Sequence, residues 1–234
     1  MNDCLTGKVV WVTGSSKGIG RAIAQKFSEH DCHLVLTARS EEELHATAVG
    51  MSKVLILPGD VTQKSDVETI ASKIIEKLQR IDILVNNAGT AIFKKIIDLE
   101  EDEWDKMMTS NAKSAFLCTK TVLPHMIAAN NGHIVNIISV AAEKPYFKSG
   151  AYGAAKAAML AFSDVTRLEN RKYGIAVTSV LPGATDTDIW GSADVDRSKM
   201  MQPQDIATAI VNCCALPKAA VVEMLRLRPQ GGDL

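Results

Sequence analysis

The sequence predicts an α/β protein built on a doubly wound parallel β-sheet with helices on both faces. Short apolar runs rich in β-branched residues alternate along the chain with longer segments whose apolar residues recur at helical spacing. Short turns separate these segments, and parallel strands connected in this way carry helices on both faces of the sheet. We expect all 234 residues to form one domain, because α/β folds of this size routinely form a single unit.

The first strand, turn and helix are predicted within Lys8 to Gly20, which reads KVVWVTGSSKGIG. Glycine at Gly14, Gly18 and Gly20 removes side chains that would hold a ligand away from the backbone. The helix that begins near Ile19 presents unpaired N–H groups and roughly half a positive charge at its N-terminus. Such a turn fits a phosphate or pyrophosphate. A glycine-rich turn that binds nothing is the alternative for this motif taken alone.

Six more strands are expected along the chain. They are His33 to Thr37, Val54 to Leu57, Ile83 to Val85, His133 to Ser139, Ile175 to Leu181 and Val221 to Leu227. A helix from Ser65 to Leu78, with Ser65 as its N-cap, separates the third and fourth strands, because its apolar residues keep helical spacing. In a doubly wound sheet, ligands bind beyond the carboxyl ends of the strands. Unusual residue clusters at these ends therefore indicate the candidate site.

The end of the second strand bears on which dinucleotide would bind. An acidic residue there accepts a hydrogen bond from a ribose 2′-OH, whereas an Arg suits a 2′-phosphate. This sequence has Ala38 at the acid position, Arg39 next to it, and Lys17 in the glycine turn as a second cation. The pattern predicts NADP(H), with two solvated surface cations as the alternative. Asp60, after the third strand, could bond an adenine amino group, although Asp after Gly is also ordinary turn chemistry.

A further helix is predicted from Trp104 through Met107 and Met108 to Leu123. It is apolar over much of its surface, which is typical of a core helix or a subunit interface. Asn111 lies in the middle of this helix, where Asn is disfavoured. We therefore expect Asn111 either to point to solvent or to have a hydrogen-bonding role.

Tyr152 and Lys156 are four residues apart on the helix predicted after Ser139, so they share one helix face. A phenol has a pKa near 10, and an adjacent ammonium lowers that pKa by stabilising the phenolate. The pair therefore indicates acid–base chemistry. A Tyr packed on a Lys stem is the alternative for an isolated pair of this kind.

Composition and charge exclude several classes of protein. The formal net charge is -1 without a basic block, which gives no reason to expect nucleic acid or an anionic membrane as the main partner. The longest apolar runs are strand-sized, far below the ~20 residues of a membrane span. No signal-peptide pattern begins the sequence, so we expect a cytoplasmic protein with reduced cysteines. The five cysteines have no zinc-ligand spacing, so no metal site is expected.

Taken together, these residues resemble the short-chain dehydrogenase/reductase family over nearly the whole chain, from Lys8 to about Gly232. The matching motifs are Thr13-Gly14-(x)3-Gly18-Ile19-Gly20, Gly59-Asp60-Val61, Asn86-Asn87-Ala88-Gly89, Asn111, Ser139, Tyr152-(x)3-Lys156, and Pro182-Gly183 with Thr187. Each motif is weak by itself, but their order and spacing together are specific. The resemblance implies a Rossmann-type dinucleotide-binding fold.

The resemblance also implies a catalytic set of four residues. Tyr152 would be the general acid or base, and Lys156 would lower its pKa and bond the nicotinamide ribose. Ser139 would orient the substrate oxygen, and Asn111 would hold a water in a proton relay.

The implied cofactor-binding residues come from several strand ends. Asp60 and Val61 would contact adenine, Asn87 to Gly89 the adenosine side, and Pro182 to Thr187 the nicotinamide carboxamide. The full set is Gly14, Ser15, Ser16, Lys17, Gly18, Ile19, Gly20, Ala38, Arg39, Asp60, Val61, Asn87, Ala88, Gly89, Tyr152, Lys156, Pro182, Gly183, Thr185 and Thr187.

The expected activity is NADP(H)-dependent interconversion of a carbonyl compound and its alcohol, in the reductive direction, by a homotetramer or dimer. A dinucleotide-sensing protein without turnover and a 3-oxoacyl thioester reductase are the alternatives. Ala128 to Asn131 replaces the basic cluster typical of carrier-protein reductases, and the segment from Thr187 to Gln202, the substrate lid in this family, is short. Five residues are candidates for an apolar substrate pocket: Trp190, Met200, Met201, Tyr146 and Phe147.

Overall fold

A computed structural model describes residues 4–191 and 195–232, and one seven-stranded parallel sheet organises them. The strands are β1 Val9–Thr13, β2 His33–Thr37, β3 Val54–Ile56, β4 Ile83–Asn86, β5 Gly132–Ile137, β6 Ile175–Pro182 and β7 Met224–Leu227. Their order across the sheet is β3-β2-β1-β4-β5-β6-β7, with every neighbouring pair parallel. The winding reverses between β1 and β4, which makes the carboxyl ends of these two strands the switch point where ligands bind in such sheets.

Helices cover both faces of the sheet, as predicted. They are α1 Gly18–Ser28, α2 Glu41–Ala48, α3 Lys64–Leu78, α4 Glu101–Met107, α5 Ser114–Ala128, α6 Gly150–Asn170 and α7 Pro203–Cys214. Successive residues of a strand point to opposite faces. Val10 and Val12 of β1 accordingly pack with α1 and α7 on one face. Val9 and Trp11 pack with α3 and α5 on the other, so the sheet has two apolar cores.

Several predicted boundaries were wrong. Strand β7 begins at Met224 and not at Val221, and β3 ends at Ile56 and not at Leu57. At two further boundaries, local hydrogen bonds override the apolar pattern. β5 ends at Ile137, and Ser139 lies beyond it, where the Ser139 hydroxyl accepts a hydrogen bond from Ala141 N at 3.1 Å and opens a short 3-10 turn. Ser65 is not a helix cap. The α3 helix begins one residue earlier with Gln63 as N-cap, and the Ser65 hydroxyl donates to Asp66.

The continuous helix predicted between Trp104 and Leu123 is interrupted. Helix α4 passes into a π-helical segment, Met108–Lys113, before α5 begins. Single π turns inside helices are often found at functional sites. Asn111 lies in this segment and is 0% exposed, so the solvent-facing alternative for Asn111 was wrong.

The cysteines are free thiols, with Cys32 and Cys118 buried. No helix within the described ranges has both the length and the apolar character needed to cross a bilayer. In the same part of the chain, no group of three or more His, Cys, Asp or Glu side chains is arranged to hold a metal ion.

Candidate active site

The glycine turn after β1 is shaped by close backbone packing. Gly14 and Gly18 have φ of +62° and +54°, a region that favours glycine. A Cβ atom on Gly14 would lie 2.8 Å from Ala88 Cα. A Cβ atom on Gly20 would overlap the Asn87 amide and the Gly14 carbonyl. These contacts leave no room for larger residues at Gly14 and Gly20, and they fix the path of the turn.

The turn after β4 is bonded directly to the glycine turn. The Asn87 amide nitrogen donates to the carbonyl oxygens of Thr13 and Gly14, at 3.0 Å each. The Thr13 hydroxyl accepts from the backbone nitrogens of Asn87 and Ala88, at 3.1 Å each. Asn87 and Ala88 therefore lie at the switch point, but the amide nitrogen of Asn87 is already used to join the two turns.

The N-terminus of α1 is suited to an anion. Lys17 is its N-cap residue and provides no side-chain cap, and its first turn contains no acidic residue. Ser15 and Ser16 are buried, and the Ser16 carbonyl accepts from the Thr47 hydroxyl at 3.3 Å. Within residues 4–191 and 195–232, no side chain accepts a hydrogen bond from the first N–H groups of the helix, and the helix dipole adds positive potential where a pyrophosphate would lie.

Two cations lie near this turn in different surroundings. Arg39, just past β2, is exposed, and none of the residues in 4–191 or 195–232 engages its guanidinium by a hydrogen bond or an ion pair. Lys17 Nζ lies 3.3 Å from Asp188 Oδ2 in an exposed ion pair. Ala38 is half-buried beside Arg39, and no carboxylate occupies that position. Arg39 is therefore the better placed of the two cations to meet an added phosphate.

Asp60 is part of a turn after β3. Its Oδ1 accepts from the backbone nitrogen and the hydroxyl of Thr62, at 2.9 and 2.8 Å. Its own backbone nitrogen donates to Asp66 Oδ2 at 2.9 Å. Val61, which follows, is buried against the core beneath α3. One carboxylate oxygen of Asp60 is thus used by the turn itself.

Ser139 and Tyr152 lie close enough to interact beyond the end of β5. Each residue is only 8% exposed. Burial raises the pKa of the Tyr152 phenol, and the hydrogen bond with Ser139 partly opposes that rise. The phenol therefore holds its proton at neutral pH in this environment.

Lys156 lies one helical turn beyond Tyr152. Its Nζ donates to the Ile137 carbonyl at 2.9 Å and lies 5.8 Å from the centre of the Tyr152 ring. Burial lowers the pKa of Lys156 to about 7. The sequence predicts a depressed Tyr152 pKa, but desolvation of the buried phenol raises this pKa, and the Lys156 ammonium donates instead to a carbonyl of β5.

Asn111 is held from two sides. Its amide nitrogen donates to the carbonyls of Met107 at 2.9 Å and of Thr90 at 3.0 Å. Its Oδ1 is buried and has no hydrogen-bond partner among the described residues. A Cβ atom on Gly89 would lie 2.6 Å from this oxygen and 3.6 Å from Lys156 Nζ. Asn111, Gly89 and Lys156 therefore adjoin, and the orphaned oxygen is an acceptor that needs a donor.

The segment after β6 lies next to the start of α1. Pro182 ends the strand, and Gly183 N donates to the Leu227 carbonyl at 2.7 Å. Thr185 is buried, and its hydroxyl donates to the Gly183 carbonyl at 3.1 Å. The Thr187 methyl group is 3.4 Å from where a Gly18 Cβ would be. This segment therefore adjoins both the glycine turn and the end of the sheet.

The structure adds one site residue that the sequence motifs did not indicate. Phe93, after β4, contacts the Tyr152 ring edge to face, with centroids 5.8 Å apart. Trp190 stacks on Phe93 at 5.9 Å with a 13° angle between the ring planes. The Trp190 indole nitrogen donates to the Thr185 carbonyl at 2.9 Å. The position of Phe93 just after the Asn86–Gly89 cluster was the only sequence signal.

The predicted apolar pocket is only partly formed by the predicted residues. Trp190 reaches the surroundings of Tyr152 through Phe93. Met201 packs instead against the core under α1 and α7, and Tyr146 packs against a separate cluster around Met159. Phe147 is 80% exposed and makes no ring contact with Phe93, Trp190 or Tyr152, so its predicted place in the pocket was wrong. Met200 is buried.

A family model described as short chain dehydrogenase matches residues 8–198. An uncharacterized oxidoreductase of Staphylococcus epidermidis is 34% identical over 223 residues, which cover 95% of this chain and 97% of that protein. An uncharacterized oxidoreductase of Staphylococcus aureus strain USA300 is 35% identical over 227 residues, which cover 96% of this chain and 98% of that protein.

Solved structures resemble the chain over almost its full length. An alcohol dehydrogenase from the archaeon Thermococcus sibiricus, complexed with 5-hydroxy-NADP, superposes with a TM-score of 0.89 at 29% identity, covering 95% of this chain and 97% of that one. A metagenomic short-chain oxidoreductase in complex with NADP superposes with a TM-score of 0.84 at 30% identity, covering 97% of this chain and 99% of that one. The closed form of a serine dehydrogenase complexed with NADP+ superposes with a TM-score of 0.88 at 28% identity, covering 94% of each chain.

Proposed function

Because this chain belongs to the short chain dehydrogenase family, we propose that it is an NADP(H)-dependent oxidoreductase that reduces a carbonyl compound to its alcohol. One observation carries the proposal. Two neighbouring hydroxyl groups, those of Ser139 and Tyr152, are buried beyond the end of β5, with Lys156 on the same helix face as Tyr152. A donor pair of this kind is suited to bind and protonate one carbonyl oxygen.

The residues at the switch point fit a dinucleotide. The uncapped start of α1, from Gly18, would hold the pyrophosphate, and the unengaged Arg39 would hold the 2′-phosphate. Asp60 and Val61 would contact adenine, and Asn87 to Gly89 the adenosine side. Pro182, Gly183, Thr185 and Thr187 would face the nicotinamide carboxamide. When bound, NADPH supplies the hydride.

The protein groups would handle the proton. Tyr152 donates its hydroxyl proton to the carbonyl oxygen, a role that suits a phenol whose raised pKa keeps it protonated. Ser139 donates a hydrogen bond that orients the same oxygen. Lys156, whose pKa is lowered to about 7, can give up and regain a proton at neutral pH and so resupply Tyr152. The orphaned Oδ1 of Asn111 would hold a water in that relay.

The proposed cofactor and the surroundings of the site also favour one direction of the reaction and one class of substrate. NADP(H) is generally kept reduced in cells, which favours carbonyl reduction. Ala128 to Asn131 provides no basic patch for an acidic carrier protein, which favours a small apolar carbonyl compound over a carrier-bound 3-oxoacyl thioester. We also propose a cytoplasmic location. A sensor that binds the dinucleotide without turnover is the rival function, but it would have no evident need for Asn111, Ser139, Tyr152 and Lys156 together.

The test is NADPH consumption with a panel of ketones, aldehydes and 3-oxoacyl thioesters. Tyr152→Phe should retain NADPH binding and lose turnover by about 100-fold or more, the typical cost of removing a general acid. Tyr173→Phe is the matched control, because Tyr173 packs against the core beyond the end of α6.

Two results would contradict the proposal. One is turnover by Tyr152→Phe within a few-fold of wild type. The other is tight NADPH binding with no turnover of any compound on the panel, which would favour the sensor.

A further inference from the structure

Phe93 and Trp190 form an aromatic pair that contacts the catalytic candidate Tyr152 through Phe93. Their rings are nearly parallel, 13° apart, and the centroid separation is 5.9 Å. Phe93 also meets the Tyr152 ring at 62°. Offset stacked and edge-to-face contacts are the favoured geometries of aromatic rings, so the three rings form one cohesive group.

The sheet order places this pair over the carbonyl-binding groups. Phe93 follows β4 and Trp190 follows β6, while β5 lies between those strands. A contact between the two rings therefore spans the carboxyl end of β5. Ser139 lies just beyond that end, next to Tyr152.

Both rings are held by their own segments. Lys94 N, next to Phe93, donates to the Lys148 carbonyl at 2.9 Å, which ties the loop after β4 to the loop that precedes α6. The Trp190 indole nitrogen is committed to the Thr185 carbonyl. With its donor engaged, Trp190 presents only ring surface, and Phe93 has no polar group. A ligand that meets this pair meets apolar π faces.

We propose that Phe93 and Trp190 determine substrate specificity by selecting carbonyl compounds with a flat aromatic ring next to the carbonyl. The inference rests on the proposed reductase function. A carbonyl oxygen bound by Ser139 and Tyr152 places its neighbouring substituent against the Phe93 and Trp190 rings. An aromatic substituent can replace the ring-to-ring contact that it disturbs, whereas a saturated ring of equal size cannot.

The experiment compares acetophenone with cyclohexyl methyl ketone, which differ in the flatness and π character of the ring. The ratio of their kcat/KM values is measured for wild type, Phe93→Leu, Trp190→Leu and the control Phe147→Leu. Phe147 is an exposed aromatic residue without a ring partner among the described residues. Comparing this ratio between wild type and each variant cancels the difference in intrinsic reactivity between the two ketones.

We expect the ratio to fall by about threefold to tenfold in Phe93→Leu and in Trp190→Leu, the size of one lost aromatic contact, and to stay unchanged in Phe147→Leu. An unchanged ratio in either Phe93→Leu or Trp190→Leu overturns the pair as the selecting surface. A fall of the same size in the ratio for Phe147→Leu overturns it as well.

A binding measurement separates this proposal from the proposed function. Saturation-transfer NMR with each ketone and NADPH-loaded protein reports binding without turnover. If wild type reduces neither ketone, preferential binding of acetophenone that is lost in Phe93→Leu still supports the selecting surface. Equal binding of the two ketones, or no binding of either, overturns it.

Discussion

At the scale of single residues, Arg39 and Lys17 differ in what already engages them. Lys17 faces Asp188 at 3.3 Å, so an added phosphate would meet a carboxylate as well as the ammonium. Arg39 has no such neighbour in the part of the chain that the structure describes. Near the protein surface, an Arg beside a 2′-phosphate gains roughly 1–3 kcal/mol after screening. Arg39 should therefore contribute more to the preference for NADPH over NADH.

The measurement is the ratio of kcat/KM for NADPH and NADH. We expect Arg39→Ala to lower this ratio about tenfold or more, and Lys17→Ala to lower it less. The matched control is Arg171→Ala, because Arg171 is an exposed Arg past the end of α6. A wild-type preference for NADH, or a ratio insensitive to Arg39→Ala, would refute the assignment.

The sequence could indicate those site residues whose positions follow from local spacing. It could not indicate those that only tertiary contacts bring to the site. Tyr152 and Lys156 are four apart on one helix, and Ser139 follows an apolar strand, so local spacing was sufficient to predict that these side chains lie near one another. Phe93 is a single aromatic residue in a loop, without any period, and only the folded chain brings it to Tyr152. The direction of the Tyr152 pKa shift depends on burial by many distant residues, which no motif encodes.

At the scale of elements, the turns after β1 and β4 are packed so closely that adding one methyl group at Gly20 should destabilise the fold. In an ordinary helix, replacing Gly by Ala stabilises the helix by about 1 kcal/mol. At Gly20, the added Cβ would overlap the Asn87 amide and the Gly14 carbonyl, and the overlap should outweigh that gain. We expect Gly20→Ala to lower the free energy of unfolding by about 1–3 kcal/mol, the usual cost of overpacking.

Thermal unfolding and NADPH titration check this expectation. A loss of this size lowers the midpoint by several degrees in a chain of this length, and distortion of the α1 N-terminus should also weaken NADPH binding. Gly231→Ala is the control, because nothing lies within 4 Å of its added Cβ. If the thermal unfolding midpoint of Gly20→Ala equals or exceeds that of wild type, the expectation is wrong, because the two turns must then move apart at little cost.

The interruption between α4 and α5 shows why element boundaries were harder to predict than element types. The apolar spacing through Trp104 and Leu123 fits one helix, and most of the residues involved are helical. The π-helical segment instead coincides with the bond from Asn111 to the Thr90 carbonyl in another loop. A contact made across the fold leaves no periodic signal in the sequence, so the sequence drew attention to Asn111 but did not indicate the interruption of the helix around it.

At the scale of the whole molecule, exposed apolar side chains on two helices predict self-association. Phe116 of α5 is exposed and meets Phe162 of α6 at 6.0 Å, and Val165 and Leu168 of α6 are exposed as well. A shallow surface groove lined by both rings lies between the two helices. Because an exposed apolar patch on a soluble chain often marks an interface, we propose that these helices join subunits of a homo-oligomer, with a tetramer expected from the family.

Light scattering measures the particle mass. We expect a multiple of the 25.2 kDa chain mass for wild type and a smaller particle for Phe116→Glu, since a carboxylate in an apolar interface is costly to desolvate. Phe147→Glu adds the same charge at another exposed aromatic residue and should leave the mass unchanged. A wild-type particle of 25.2 kDa at micromolar concentration would rule out the oligomer.

The strand order has a consequence for synthesis of the chain. Strands β1 to β4 pair among themselves, so a nascent chain that has emerged through Asn86 already holds every partner that β1, β2 and β3 require. Strand β6 is buried along nearly its whole length in the finished protein, yet its outer neighbour, β7, is translated last of the seven. Until Met224–Leu227 emerge, β6 presents an open apolar edge of the kind that pairs with other chains. We therefore expect chaperones to act on this protein chiefly between translation of β6 and translation of β7.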